Sequence, residues 1–171
     1  MGFFDKLFGG KSKDENTAKF TNQSKTVLTP LQGKVLAQAD IPDETFAQGI
    51  LGPGCGIEPT GDTVYAPFDG TVTQIATTLH AVGITSNDGI ELLIHVGMDT
   101  VEMQGKGFKA LVKVGDKVKA GTPLLKVDLD AIRAAGHPTA TAIIVTNGDD
   151  MGELKMLAEG DVLAGTPLFK F

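Results

Sequence analysis

The sequence predicts an all-β protein, a single antiparallel sandwich or barrel-like domain with an internal pseudo-repeat and one or two short helices. Three observations point there. First, 22 glycines and 8 prolines punctuate short runs rich in β-branched residues, the turn-and-strand rhythm of sandwiches and barrels. Second, only LDAIRAA (129–135) and DMGELKML (150–157) have a helical pattern. Third, the chain echoes itself: TPLQGKV (29–35) resembles APFDGTV (66–72), and VGDKVKAGTPLLKV (114–127) resembles EGDVLAGTPLFKF (159–171). Two spaced echoes are too few for a solenoid. They predict a pseudo-twofold arrangement inside one compact domain.

The elements follow in order. Phe3, Phe4, Leu7 and Phe8 fall at helical spacing beside Lys6, Lys11 and Lys13, and GGKSKDENTAK (9–19) reads as a linker. Residues 1–23 are therefore an amphipathic tail and linker, and residues 24–171 the domain. A helix this short is marginal in water. It gains if its apolar face lies on a bilayer and its lysines meet anionic headgroups. Membrane-surface contact through residues 1–13 is one expectation; a disordered tail, or one packed on the body, is the other. Strands are then expected in TVLTPLQGKVLAQ, GTVTQIA, VGITS, ELLIHVG, ALVKV, PLLKVDL, TAIIVT and PLFKF. Glycine supplies the unusual φ values between them, and proline presets the turns.

Bulk properties exclude several function classes. With 15 basic and 21 acidic residues the net charge is −6, so no sustained basic groove exists for nucleic acid. No apolar stretch approaches the roughly 20 residues that cross a bilayer. The start lacks a secretory signal, and Lys6 breaks the myristoylation pattern. The single Cys55 has no internal disulfide partner and suits a reducing compartment. The expectation is a cytoplasmic monomer.

Histidines stand at His80, in TTLHAV, and His95, in ELLIHVG. If 80–86 and 89–95 form a hairpin around Asn87-Asp88, His80 lies opposite His95, on the same face. With Asp88-Gly89 central, the two are diagonal neighbours on one face. A three-residue loop sends them to opposite faces. Facing imidazoles offer a metal two ligands, the remainder coming from elsewhere. Alternatively, one acts as nucleophile while the other orients it or holds the incoming group. The plainest reading is that each only caps a hydrogen-bond network. His137, in a loop, has no partner in view.

VYAPFDGTV, TTLHAVGI, GIELLIHVGMDTVEMQGKGF and VGDKVKAGTPLLKVDL together resemble glucose-type enzyme IIA of the bacterial phosphoenolpyruvate:sugar phosphotransferase system. The likeness spans residues 24–171, and GFFDKLF resembles the amphipathic tail of the free-standing enteric form. The resemblance implies a flattened antiparallel sandwich and a phosphocarrier without a required cofactor. His95 would accept a phosphoryl group from phospho-HPr and pass it to a cysteine on the sugar-specific IIB domain. His80 would stabilise the group, and Thr78 would orient His80. Phe46, Val96 and Val101 match apolar positions of the partner-docking surface, and Asp43 and Asp99 match acidic ones. In some enteric members both histidines and a partner carboxylate hold zinc, a role extended here to His80 and His95. Regulatory protein targets are likewise implied. Gly83 and Thr85 stand where the enteric pattern has Ser and Glu, and Leu93 where it has Phe.

The residues allow this chemistry independently. A neutral imidazole is a good nucleophile, and an apolar rim protects a labile P–N bond from water. Without a P-loop, direct use of ATP is not expected. One alternative is a zinc-dependent peptidoglycan endopeptidase, but it needs an upstream histidine and a His-x-His where Leu93 stands. A lipoyl- or biotinyl-carrier module needs a lysine at the hairpin tip, which reads SNDG. A non-catalytic phosphorylation-sensing regulator would use the same histidines.

Overall fold

A computed structural model describes residues 17–171. The first half contains β1 (Thr26–Leu28), β2 (Gly33–Leu36), a short helix α1 (Glu44–Ala47), β3 (Gly54–Pro59), β4 (Thr63–Tyr65), β5 (Gly70–Ile75), β6 (Ala81–Ser86) and β7 (Glu91–His95). The second contains β8 (Phe108–Ala110), β9 (Lys117–Val118), β10 (Pro123–Val127), α2 (Leu129–Ala134), β11 (Thr141–Val145), β12 (Lys155–Met156), β13 (Asp161–Val162) and β14 (Pro167–Lys170). They build an eight-stranded sheet ordered β13-β2-β3-β11-β7-β6-β5-β9 and two three-stranded sheets, β1-β14-β12 and β4-β10-β8.

The sequence echoes stand symmetrically about the β11–β7 seam: β2 and β5 lie third from it on either side, and β13 and β9 form the two edges. The turn before β14 returns Gly165 N–H to Thr29 O at 2.8 Å, and the turn before β10 returns Gly121 N–H to Ala66 O at 2.9 Å. Both glycines take positive φ, +98° and +91°, which the shared Ala-Gly-Thr-Pro supplies without a Cβ penalty. Across the pseudo-axis Leu28 N–H donates to Pro67 O at 2.9 Å, and Tyr65 N–H to Pro30 O at 2.8 Å. Each half thus closes on the other.

The core fills the space between the large sheet and the two small ones. Val82 pairs with Ile94 and Ile84 with Leu92, and period-two alternation turns all four inward. They meet Val27, Val64, Leu124 and Phe169 in one buried cluster. Alternation sends Leu93 and His95 to the outer face. There a second, smaller cluster of Ile41, Phe46, Met98, Ala142 and Ile144 covers part of the sheet. With apolar layers on both sides, β11 is buried at every position, which is why AIIV (142–145) runs apolar without alternation.

Some expectations fail locally. LDAIRAA does form α2, capped by Asp128, whose carboxylate accepts from Ala131 N–H. DMGELKML is not a helix: Gly152 takes φ +97°, and Lys155–Met156 joins β14 as an edge strand. Of ALVKV only Ala110 is in a strand, at the end of β8. Helix α1 and strands β3, β4, β9 and β13 lie where no element was expected.

Ala18 N–H donates to Ala164 O at 2.8 Å, Phe20 lies 5.4 Å from the Tyr65 ring, and Asn22 Oδ1 accepts from Asp69 N–H at 2.8 Å. Phe3, Phe4, Leu7, Phe8 and the membrane-contact expectation for 1–13 fall outside the described residues. Among the described residues no helix is long and apolar enough to cross a membrane.

Candidate phosphoryl-transfer site

The histidine hairpin adopts the register expected to separate the imidazoles. Its loop is Asn87–Gly89: Ser86 N–H donates to Ile90 O at 2.8 Å and Gly89 N–H to Ser86 O at 3.1 Å. Gly89 takes φ +100°, the left-handed position of a three-residue hairpin loop. Ala81 consequently faces His95, and Val96 N–H donates to His80 O at 2.8 Å. Strict alternation would place the two rings on opposite faces. They meet nonetheless, with centroids 4.8 Å apart in an edge-to-face arrangement. His80 precedes β6 and follows Leu79, whose φ is +62°. The chain bends there, so the strand's alternation does not govern His80. The expectation that a three-residue loop parts the histidines is therefore corrected.

Small neighbours make room for His95. On its two flanking strands it faces Ala81 and Ala142, and the Phe46 ring lies 5.0 Å away. His80 is buried and His95 half-buried. Each ring is held through Nδ1. His95 Nδ1 lies 2.9 Å from Gly97 O; a carbonyl only accepts, so this nitrogen carries the proton and donates. In the neutral ring the lone pair is then on Nε2. His80 Nδ1 lies 2.8 Å from Thr78 Oγ1, a hydroxyl able to donate or accept.

Burial holds both imidazoles below the ordinary histidine pKa, because desolvation disfavours the cation. For His95 the Gly97 carbonyl and the carboxylates of Asp43 and Asp99 oppose that shift without cancelling it. For His80 the nearby His95 adds to the lowering, and Thr78 opposes it. Both rings are thus poised to be neutral at neutral pH.

The remaining expected residues divide. Asp43 caps α1, accepting from Thr45 N–H at 2.9 Å and Phe46 N–H at 3.3 Å. Asp99 is exposed and left-handed at φ +58°. Val101 is 51% exposed, on the 3-10 turn that follows Asp99. Phe46 is largely buried against His95. Val96 does not fit the docking role: it is fully buried in the main core, because alternation turns it away from His95. Sequence reasoning missed the Gly97 carbonyl, a backbone group that no side-chain pattern announces. Among the described residues no group of three or more His, Cys, Asp and Glu could hold a metal ion.

Comparisons with known proteins point to one family. A family model for the phosphoenolpyruvate-dependent sugar phosphotransferase system, EIIA 1, matches residues 25–151. The glucose-specific EIIA component of Halalkalibacterium halodurans is 41% identical over 95% of this chain and 93% of its own length. The beta-glucoside-specific EIIBCA component of Dickeya chrysanthemi is 44% identical over 85% of this chain, which spans only 23% of that longer protein. Among solved structures, glucose permease IIA from Mycoplasma capricolum superposes with a TM-score of 0.79 at 32% identity, covering 89% of this chain and 98% of its own.

Proposed function

This chain belongs to the EIIA 1 family of the phosphoenolpyruvate-dependent sugar phosphotransferase system, and from that membership we propose that His95 is the residue carrying the phosphoryl group. The family's activity is transfer of a phosphoryl group between proteins. The observation that supports the assignment is the pair of imidazoles at 4.8 Å, each anchored through Nδ1, which leaves both Nε2 atoms for a phosphoryl group between them.

In the first step the His95 Nε2 lone pair attacks the phosphorus of phospho-HPr. The donor's P–N bond breaks, and its electron pair returns to the donor imidazole. His95 keeps its Nδ1 proton on the Gly97 carbonyl, which shares the positive charge of the phosphorylated ring. Thr78 donates to His80 Nδ1, so His80 carries its proton on Nε2 and donates to a phosphoryl oxygen. In the second step a cysteine thiolate on a IIB domain attacks the same phosphorus, and the electron pair returns to His95 Nε2. The reaction asks for in-line approach and dispersed charge, not new covalent machinery. Phe46 shields the labile bond from water.

Asp43, Asp99 and Val101 form the rim that a partner would meet. Zinc would find two ligands in His80 and His95, half of a tetrahedral set, and would need a carboxylate from a docked partner. The matched relatives support neither the endopeptidase nor the sensor reading. The sugar is set by the membrane partner. Residues 1–13 would bring the protein to the inner face of the cell membrane.

The test uses phosphoenolpyruvate, enzyme I and HPr, scored as acid-labile, base-stable phosphate on this protein. His95→Ala should take up none. His80→Gln should accept phosphate and pass it on poorly. Full labelling of His95→Ala rejects the assignment, and normal onward transfer by His80→Gln rejects the role of His80.

A further inference from the structure

Ahead of α1, the 3-10 turn Gln38–Asp40 carries a side chain that the steps above do not use. Gln38 is half-buried, and its amide is almost fully engaged. Nε2 donates to Phe46 O at 3.0 Å and to Gly52 O at 2.8 Å. Oε1 accepts from Gly54 N–H at 3.2 Å. These backbone groups belong to α1, to the loop after it and to the first residue of β3.

Helix α1 needs such support. At four residues it is far too short to hold itself, since the first turn of any helix is unfavourable to nucleate. Asp43 satisfies its leading N–H groups, and of its trailing carbonyls Phe46 O accepts from Gly49 N–H at 3.1 Å, with Gln38 as its second donor. The following loop contains Gly49 and Gly52, both at positive φ, +75° and +138°, and is exposed at Ile50. Gln38 closes this loop across its base. The residue so fixed is Phe46, whose ring packs against His95 at 5.0 Å.

We infer that Gln38 is a positioning residue for phosphoryl transfer, acting through Phe46. By holding the Phe46 carbonyl on one side and Gly52 and Gly54 at the far end of the following loop, it sets the wall against which the His95 ring rests. That wall fixes the orientation of the His95 ring and keeps water away from the P–N bond. The inference rests on the phosphocarrier reading above.

The experiment compares wild type, Gln38→Ala, Phe46→Ala and the double variant in single-turnover transfer from phospho-HPr. It also measures the lifetime of the isolated phosphohistidine and the NMR cross-relaxation between the Phe46 and His95 rings. Gln38→Ala should slow transfer about three- to tenfold, the scale set by losing hydrogen bonds of ordinary net strength. It should also shorten the phosphohistidine lifetime and weaken the ring cross-peak. In the Phe46→Ala background most of that effect should vanish, because residues acting as a unit are non-additive. Gln38→Glu keeps the acceptor for Gly54 but loses both donors, and should reproduce the loss with the fold intact by thermal unfolding. Wild-type transfer with an unchanged cross-peak in Gln38→Glu overturns the inference, as does full additivity with Phe46→Ala. Absence of label on wild-type His95 would instead reject the phosphocarrier reading itself.

Discussion

At the scale of single residues, the site depends on keeping two imidazoles neutral. Burial lowers the pKa of each from the ordinary value of 6.5, and only the neutral His95 has a lone pair on Nε2 to attack phosphorus. Phosphoryl acceptance should therefore hold level from neutral pH down to about 6.5 and decline only below it, once the donor's own titration is divided out. A single-turnover pH series checks this, and a decline beginning above 6.5 overturns it. Stability follows the same linkage. As pH falls, the unfolded chain takes up protons at these histidines before the folded one does. Their contribution is thus fully present above 6.5 and is lost as pH falls through the lower folded values. The urea midpoint should drop over that window, and less so when both histidines are replaced by glutamine.

At the scale of elements, the site is assembled at strand ends, where sequence patterns lose their hold. The hairpin was legible because GITS and ELLIH alternate around turn residues. The meeting of His80 with His95 was not legible in register alone, since it depends on a bend at Leu79, a non-glycine residue at positive φ. Helix α1 escaped notice because four residues show no period, and β3 because Gly54, Gly56 and Pro59 dilute its strand pattern. The bend after β7 carries a sharp prediction. Gly97 takes φ +73°, and an added Cβ would lie 2.5 Å from Thr100 Cγ2 and 2.9 Å from Pro138 O. Gly97→Ala should cost about 1–3 kcal/mol and slow transfer, because the carbonyl holding His95 Nδ1 moves with the backbone. Gly136→Ala is the control: its φ is +84°, but nothing lies within 4 Å of the added Cβ. It should cost less and leave transfer untouched, as read from urea melts alongside transfer rates. Equal transfer by both variants would show that the Gly97 carbonyl does not orient His95.

At the scale of the whole molecule, the two echoes proved the most informative pattern, because each pair marks equivalent turns in the two halves. The halves join along the β11–β7 seam, and the main core runs unbroken beneath it. Cys55 reports on that continuity. It lies on β3, opposite Ile143 of β11, is 1% exposed, and burial pushes its thiol pKa up to about 12. The thiolate is the reactive form, so the native protein should resist a disulfide exchange reagent, and labelling must wait for the sheet to open. A core with no internal break should open as a unit, so the labelling rate should rise with urea as steeply as global unfolding does. Substituting Ile144→Ala, on the outer face of β11, should cost about 2–5 kcal/mol and speed labelling in proportion to that loss of stability. Labelling that ignores both urea and Ile144→Ala would mean that β3 parts from β11 while the rest stays folded. The halves would then be held less as one body than their shared core requires.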